Sequence, residues 1–275
     1  MRFTKMNGAG NDFLILNNRE EHLNPDRFPA IARTLCHRRL SIGADGLMVV
    51  EPALQGGDFR MLFFNSDGSA GEMCGNGARC ICRYGYEKGL AGERQTVETP
   101  SGLVTGQRID RRSYRIRLTD PTVIDLERPV EALGRVWPCA YVELGSPGLP
   151  HAAVPCPGLG GKTMDGLRDL GRALRSHPAF PKGANVNFYD ITAPDQIVEL
   201  TYERGVEDFT YACGTGTGSV VLALTLLGQV SGKDVAVSVP GGTLRVTIAD
   251  QKAIRLTGPT NVVCQGEVLD EDLHI

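Results

Sequence analysis

The sequence predicts an α+β protein of two similar domains related by internal duplication, each with a sheet wrapped around a central helix. Three observations support this fold class. A short phrase of cysteine and glycine occurs once in each half of the 275-residue chain. Each half also contains several strand-like segments and one largely apolar segment of helical length. Self-similarity at a fixed spacing indicates a repeated structural unit, so we expect the two halves to share one fold.

The repeat is centred on two cysteines. Around Cys74 the chain reads Cys-Gly-Asn-Gly-Ala-Arg, and around Cys213, 139 residues later, it reads Cys-Gly-Thr-Gly-Thr-Gly. The flanks correspond as well, since Asn65 lies nine residues before the first cysteine and Arg204 nine before the second. Each half therefore places one thiol at the start of a glycine-rich turn.

Hydrophobic periodicity predicts the elements of the first half. The segment 24–40 carries Ile31, Leu35 and Leu40 at roughly helical spacing, and 78–88 is expected to form the helix that follows the first cysteine. The strands predicted in this half are 2–5, 13–17, 43–50 and 59–64.

The second half repeats this alternation of strands and helices. A surface helix is predicted at 165–177, because Leu167, Leu170 and Leu174 lie on one stripe. The apolar run after Cys213 predicts a buried helix. The strands predicted in this half are 185–191, 196–202, 236–239 and 243–248.

Composition and charge argue against several classes of protein. The net charge of −3, with lysine and arginine dispersed along the chain, argues against a nucleic-acid partner. No apolar run is long enough to cross a bilayer and the start of the chain lacks a signal-peptide core, so we expect a cytoplasmic protein without membrane contact. Eight cysteines in a chain of this size indicate reduced thiols rather than a disulfide framework. Cys80 and Cys82, two apart on a helix, do not form a zinc knuckle, and no metal site is expected.

Two thiols at equivalent positions suggest proton transfer at a carbon atom. Inversion of a stereocentre needs acid/base groups on opposite faces of the carbon, one as thiolate and one as thiol. Cysteine can serve, because its pKa of about 8.5 falls further at a helix N-terminus. The alternative is a pair of buried structural cysteines, but this leaves unexplained why both begin glycine turns. We therefore interpret Cys74 and Cys213 as the catalytic pair.

Several separated motifs resemble the diaminopimelate epimerase family. They are Met-Asn-Gly-Ala-Gly-Asn-Asp-Phe at 6–13, Asn-Ser-Asp-Gly at 65–68 before Cys-Gly-Asn-Gly-Ala-Arg at 74–79, and Tyr-Glu-Arg-Gly at 202–205 before Ala-Cys-Gly-Thr-Gly at 212–216. The resemblance extends from Met1 to about Pro259. It implies a cofactor-independent, two-cysteine epimerase that converts LL-diaminopimelate to the meso form, in the pathway to lysine and cell-wall precursors.

The resemblance also implies the architecture. Family members have two similar domains, each a curved, mostly antiparallel sheet around a central helix, with the active site in the cleft. We expect the first domain at 1–120 and the second at 121–259, since Pro121, Pro129 and Pro138 are expected to interrupt regular structure. The resemblance suggests that a last strand, within 260–275, returns to the first domain. The expected partner is a small amino-acid substrate, no cofactor is expected, and a homodimer is compatible with the sequence.

The resemblance assigns further residues to the site. Arg204 is expected to bind the carboxylate at the non-reacting end of the substrate, because its planar guanidinium makes paired hydrogen bonds. Glu203 is expected to contact the reacting amino group or to tune the thiols, and His151 is a second candidate for tuning them. Asparagines are commonly turn residues, so each also has a structural interpretation. The substrate-binding positions are Asn11, Asn65, Gly75, Asn76, Asn185, Glu203, Arg204, Gly214 and Thr215.

The sequence departs from the family pattern at three positions. Leu149 stands where the family has an asparagine shortly before its histidine, Phe209 stands where a glutamate is common, and Gly46 occupies a position that is glutamine in some members. These departures leave the exact amino acid open, and a cofactor-independent racemase of another amino acid, such as histidine, is the alternative.

Other functional classes fit the sequence less well. The glycine turn at 214–218 lacks the Gly-Lys-Ser/Thr ending of a nucleotide-binding loop. A thiol hydrolase that pairs one cysteine with His37, His151 or His177 leaves the second cysteine unexplained. Isomerases of phenazine biosynthesis share the expected two-domain fold but lack the two thiols, whereas this chain has both.

Overall fold

The protein, seen in a computed structural model, forms two compact units. The structure describes residues 1–71, 74–269 and 271. Unit 1 contains residues 1–116 and the described residues from 258 onward, and unit 2 contains residues 117–257. Unit 2 is therefore one continuous segment, whereas unit 1 is assembled from both ends of the chain.

Strands dominate both units, and five α-helices accompany them within the described residues. The strands are β1 (Arg2–Gly8), β2 (Asn11–Asn17), β3 (Gly46–Glu51), β4 (Phe59–Asn65), β5 (Arg94–Thr99), β6 (Gly102–Arg108), β7 (Ser113–Arg117), β8 (Pro121–Ala132), β9 (Arg135–Leu144), β10 (Leu149–Pro155), β11 (Asn185–Ala193), β12 (Gln196–Glu203), β13 (Asp208–Thr210), β14 (Val235–Val239), β15 (Gly242–Ile248), β16 (Ile254–Pro259) and β17 (Asn261–Glu267). The helices are α1 (Asn18–Glu21), α2 (Phe28–Leu35), α3 (Gly75–Glu87), α4 (Met164–Arg175) and α5 (Gly214–Leu226).

The two units have the same strand order and polarity. Unit 1 runs β17-β1-β2-β3-β4-β5-β6-β7, with parallel pairs at β2/β3 and β4/β5 and antiparallel pairs elsewhere. Unit 2 runs β8-β9-β10-β11-β12-β14-β15-β16, and its parallel pairs, β10/β11 and β12/β14, occupy the same two places. The short β13 adds to β12. The predicted class, an α+β fold of two duplicated, mostly antiparallel domains, is confirmed.

Each unit packs its sheet against one buried helix. α3 and α5 each contain 13 residues, begin directly after a cysteine and are buried along their first eleven residues. α3 packs against β1, β2 and β6, and α5 packs against β9, β10, β11 and β15. A helix that is apolar on all sides belongs in a core, which explains the position of α5. Within the described residues, no helix is long and apolar enough to cross a membrane.

The second helix of unit 2 lies on the outside of the sheet. Leu167, Leu170 and Leu174 form the buried stripe of α4, as predicted from their spacing. The hydroxyl oxygen of Thr163 accepts a hydrogen bond from the Gly166 N–H at 3.2 Å and so caps the first turn.

The corresponding helix of unit 1 is shorter than the predicted segment 24–40. A 3₁₀ turn at Pro25–Arg27 precedes α2, which ends at Leu35 because the chain then turns back. The N–H groups of Gly43 and Ala44 donate hydrogen bonds to the carbonyls of Leu35 and Cys36, respectively. Leu40 lies beyond the helix and is 80% exposed, so its predicted helical position was wrong.

Pro121, Pro129 and Pro138 do not interrupt regular structure, contrary to prediction. They lie within β8 and β9, which form a long antiparallel pair. Pro129 faces Pro138 across this pair, and the register slips between Asp125 and Arg128. Proline lacks the backbone N–H that would donate a hydrogen bond to the neighbouring strand, but a strand can continue through proline where that hydrogen bond is not needed. Both strands therefore continue past their prolines.

Candidate active site

Cys74 occupies the N-cap position of α3. Its backbone is extended, with φ −104° and ψ 118°, and its carbonyl accepts a hydrogen bond from the Ala78 N–H at 2.8 Å. The residue is partly exposed, and Gly75, a predicted substrate contact, is the first residue of the helix. The first amides of a helix lack acceptors within it and carry the positive end of its dipole, which favours a thiolate at this position.

Cys213 has the same local geometry in unit 2. Its backbone has φ −117° and ψ 101°, and its carbonyl accepts from the Thr217 N–H at 2.9 Å. Gly214 and Thr215, both predicted contacts, are the first two residues of α5. Backbone amides at a helix start are suited to binding an anion such as a carboxylate. The two units therefore offer a thiol and anion-binding amides in the same arrangement.

The environment of Cys213 favours the protonated thiol. The residue is 8% exposed, and this burial raises the pKa of its thiol well above the ordinary value. The negative charge of Glu203, at the end of β12, raises this pKa further, whereas the Thr215 hydroxyl and the Gly216 N–H lower it. Glu203 therefore acts electrostatically on this thiol.

Asn11 and Asn76 lie in direct contact in unit 1. The Asn76 amide nitrogen donates to Oδ1 of Asn11, and the Asn11 amide nitrogen donates to Oδ2 of Asp45 at 3.2 Å. Nη2 of Arg79 donates to Oδ1 of Asn76 at 2.8 Å. This chain of hydrogen bonds fixes the orientation of both amide groups beside the first turn of α3.

Asn65 lies at the end of β4, in a hydrogen-bonded turn. Its side-chain amide donates to Oγ of Ser69 at 2.9 Å, and its carbonyl accepts from the Gly68 N–H at 2.9 Å. The residue is exposed. The structure therefore gives Asn65 a turn role, and its contact with a substrate stays a prediction.

Asn185 and Arg204 meet in unit 2. Oδ1 of Asn185 accepts from the Arg204 backbone N–H at 2.9 Å, and the Asn185 amide nitrogen donates to the Pro150 carbonyl at 3.1 Å. Nη1 of Arg204 donates to the Lys182 carbonyl at 2.9 Å, and Arg204 is partly exposed. Asn185 thus positions the chain that carries the guanidinium.

His151 lies next to Asn185 in the parallel β10/β11 register and is fully buried. Within the described part of the chain, neither ring nitrogen has a hydrogen-bond partner. Burial, and then the positive charge of Arg204, lower the pKa of His151 to about 3. The imidazole is therefore neutral at physiological pH, and any effect on a thiol must come from that form.

Gly46 leaves no room for a larger side chain. It pairs with Asn65 across β3 and β4. A Cβ atom at this position would overlap the ring of Phe63 and lie 2.7 Å from the carbonyl oxygen of Phe64. The ring of Phe63 therefore fills the space that a longer residue at position 46 would need.

Phe209 and Leu149 bring apolar groups to unit 2. The ring of Phe209 lies 5.5 Å from that of Tyr202 in edge-to-face geometry and 6.2 Å from that of Phe188, so it is partly buried against the core. Leu149 begins β10 opposite Leu144. Neither position supplies a polar side chain for a ligand.

Sequence reasoning missed a buried carboxyl group under α5. Oε2 of Glu199 accepts a hydrogen bond from the Thr217 hydroxyl, while among the described residues its Oε1 has no partner. Burial raises the pKa of Glu199 to about 8. The strand alternation was an available signal, because Ile197, Glu199 and Thr201 all lie on the inward face of β12.

Asn187 was also missed, and it supports the same helix turn. Its amide nitrogen donates to the carbonyls of Ala152 and Asn185 at 3.2 and 3.1 Å, and its Oδ1 accepts from Oγ1 of Thr201 at 3.0 Å. A Cβ atom on Gly216 would overlap this Oδ1, so Asn187 packs directly against α5.

Known proteins match the chain in both halves. The family model for diaminopimelate epimerase matches residues 3–121 and 145–263. A diaminopimelate epimerase from Carboxydothermus hydrogenoformans is 35% identical over 280 residues, covering 97% of this chain and 99% of that protein. One from Desulforudis audaxviator is 38% identical over 282 residues, with 97% and 99% covered.

A solved structure has the same fold at low sequence identity. A hydroxyproline epimerase from Agrobacterium vitis superimposes with a TM-score of 0.66 at 19% identity, covering 99% of this chain and 94% of that one. This likeness concerns the fold alone. The family match in both halves and the full-length relatives show that the chain belongs to the diaminopimelate epimerase family.

Proposed function

We propose that the protein is a cofactor-independent isomerase that interconverts LL- and meso-diaminopimelate by two-base proton transfer, with Cys74 and Cys213 as the two bases. The observation that carries the proposal is the duplicated geometry, in which each unit places a cysteine at the N-cap of its central buried helix. Relatives named diaminopimelate epimerase, matching over nearly their full length, support the substrate. The reaction belongs to lysine and peptidoglycan precursor synthesis, and we propose a cytoplasmic location.

The proposed reaction moves a proton between the two faces of the α-carbon. One thiolate removes the α-proton, the other thiol donates its proton to the opposite face, and the roles exchange when the direction reverses. The α-proton is weakly acidic, so the negative charge that develops needs preorganised donors. We assign the backbone amides of Gly75, Gly214 and Thr215 to the reacting carboxylate. Each such donor contributes about 3 kcal/mol to transition-state stabilisation.

The far end of the substrate is assigned to Arg204. A guanidinium has five N–H donors, and the Lys182 carbonyl is its one hydrogen-bond acceptor in the described chain. The remaining donors suit a second carboxylate, which diaminopimelate has and lysine lacks. Asn185 accepts a hydrogen bond from the Arg204 backbone and so fixes the position of the residue that carries the guanidinium charge.

The substrate is tested by comparing kcat/KM for LL-diaminopimelate, L-histidine, L-lysine and L-glutamate on the reduced protein. We expect diaminopimelate to exceed the other three. Turnover of histidine or another monocarboxylate, with diaminopimelate inert, would overturn the proposed substrate while retaining the two-thiol reaction.

The thiol roles are tested by Cys74→Ala and Cys213→Ala. Each change removes the proton carrier of one face, so we expect activity to fall at least about 10² to 10⁴-fold, the usual contribution of one acid/base group. Cys264→Ala, at an exposed cysteine on β17, is the matched control and should retain wild-type activity. In heavy water the product should carry solvent deuterium at the α-carbon, and epimerisation without deuterium incorporation would contradict the mechanism.

A further inference from the structure

Arg79 is a fully enclosed cation on the helix that begins at Cys74. Its side chain is 0% exposed, and it lies in the second turn of α3. Its guanidinium donates to the Gly75 carbonyl at 3.3 Å and to Oδ1 of Asn76 at 2.8 Å. Among the described residues its Nε has no hydrogen-bond partner. Both of these acceptors in the described chain, a backbone carbonyl and an amide oxygen, are neutral.

A buried charge without a counter-ion is strongly unfavourable, so buried cations are normally paired with carboxylates. In the described chain, no carboxylate forms an ion pair with Arg79, and its electrostatic partners are two thiols, Cys80 and Cys74. Burial raises the pKa of Cys80 to about 12, so this thiol is neutral at physiological pH. Among the described residues, Cys74 is therefore the one electrostatic partner of Arg79 that can supply a negative charge.

Charged groups on the elements around α3 are engaged elsewhere. On β1 and β2, Lys5 pairs with Asp12 at 3.1 Å. Asp12 also forms an ion pair with Arg38. On β6, Arg108 pairs with Glu93 at 3.0 Å.

The remaining nearby cation lies on α3 itself. Arg83, one turn after Arg79, pairs with Glu87 at 2.8 Å and donates to the Thr260 carbonyl. None of these groups is an electrostatic partner of Arg79.

We propose that Arg79 is a positioning residue for Cys74: its buried positive charge holds the Cys74 side chain as a thiolate, and its hydrogen bond holds the Asn76 amide at the mouth of the same turn. The inference deepens the proposed function and rests on it for the role of the thiolate. Unit 2 has no such device at the equivalent place, since the residue five positions after Cys213 is Gly218.

The test measures how readily Cys74 is alkylated as pH changes. Iodoacetamide reacts with the thiolate, and peptide mass spectrometry quantifies the modification of Cys74 separately from the other cysteines. Arg79→Met keeps much of the side-chain volume and removes the charge. We expect its alkylation midpoint to rise by about one to three pH units, the range that a nearby opposite charge produces. Arg79→Lys keeps the charge and should stay near the wild-type midpoint.

Arg83→Met is the matched control. It removes a buried arginine from the same helix, about 6 Å further from Cys74 along the axis. Its midpoint should equal that of the wild-type protein. Circular dichroism checks that each variant is folded, and if Arg79→Met does not fold, the comparison is made between Arg79→Gln and Arg79→Lys.

An unchanged midpoint in the folded neutral variant would overturn the proposal and leave Arg79 a packing role. A shift in Arg79→Lys as large as in the neutral variant would do the same. The experiment needs no turnover, so it is separate from the test of the proposed function. A shifted midpoint in a protein that does not epimerise diaminopimelate would leave the role of Arg79 standing.

Discussion

Glu199 and His151 are both enclosed in unit 2, yet burial moves their pKa values in opposite directions. Burial disfavours the charged form of either group, so it raises the pKa of the acid and lowers that of the base. Both side chains are therefore neutral near pH 7. Burial in unit 2 thus leaves both of these ionisable side chains uncharged.

The carboxyl group of Glu199 makes stability depend on pH. Its pKa is about 8 in the folded protein and near 4.5 when unfolded, so the unfolded chain loses the proton first as pH rises. The free energy of unfolding should therefore fall between about pH 5 and pH 8. Glu199→Gln cannot ionise and should lack this fall. Urea unfolding monitored by the fluorescence of Trp137, the single tryptophan, reports the difference in unit 2.

The control for this prediction is Glu143→Gln. Burial opposes ionisation of Glu143, but Lys182 and Tyr141 hold its pKa below the ordinary value. It is ionised in both states above pH 5, so its replacement should leave the slope between pH 5 and pH 8 unchanged. A wild-type slope in Glu199→Gln would show that this carboxyl group is not the source.

Two glycines at the same place in α3 and α5 should respond differently to a methyl group. Each is three residues after its cysteine. A Cβ atom on Gly77 would overlap the terminal methyl of Met48, which can move, whereas a Cβ atom on Gly216 would overlap Oδ1 of Asn187. The Asn187 side chain is held by three hydrogen bonds and cannot yield without breaking them.

We therefore expect Gly216→Ala to destabilise the protein by about 1 to 3 kcal/mol, the usual effect of overpacking. Gly77→Ala should be close to neutral, because alanine favours the helix by about 1 kcal/mol and offsets the rearrangement of Met48. Urea unfolding followed by circular dichroism measures both. Equal losses in the two variants would contradict the view that Asn187 is rigid.

At the level of elements, spacing predicted what depends on local pattern. The leucine stripe of α4 was predicted because it lies on one helical face, and the eight strands predicted from spacing lie near β1 to β4, β11, β12, β14 and β15. The strands β5 to β10, β13 and β16 were not predicted. The prediction that Leu40 lies on α2 was wrong, because the end of this helix depends on hydrogen bonds from Gly43 and Ala44 that sequence spacing does not reveal.

The candidate site was predictable where a motif repeats and not where a contact is distant. Cys74 and Cys213 were found because their surroundings correspond. Glu199 was missed because its partner Thr217 comes from a helix after an intervening strand. Arg79 lay within a quoted motif, but a charged residue on a helix is normally exposed, so its burial could not be inferred.

The molecule as a whole is built by insertion. Residues 117–257 form unit 2, and unit 1 is completed only when β17 pairs with β1. Hydrogen bonds also tie the returning segment to the first part of unit 1. The Thr260 N–H donates to the Arg112 carbonyl at 2.8 Å, and the Thr260 carbonyl accepts from Arg83.

This arrangement predicts how fragments fold. The fragment 117–257 should fold alone, because it contains β8 to β15 and all residues of β16 that pair with β15. The fragment 1–116 should not, because β1 keeps β2 but loses its second partner β17, and Arg83 loses its acceptor, the Thr260 carbonyl. Joining 258–275 to 1–116 through a short glycine linker should restore folding, measured by circular dichroism and cooperative urea unfolding. Cooperative unfolding of 1–116 alone would contradict this dependence on β17.

The insertion also sets an order of events during synthesis on the ribosome. Domains generally fold from the N-terminus as the chain emerges. Here the first 116 residues must wait, since the strand that completes their sheet is translated only after the whole of unit 2. The later-synthesised unit 2 can finish folding first. The nascent chain therefore carries an open β1 edge until unit 2 has been translated, which makes this early-made half the part most in need of protection by a chaperone.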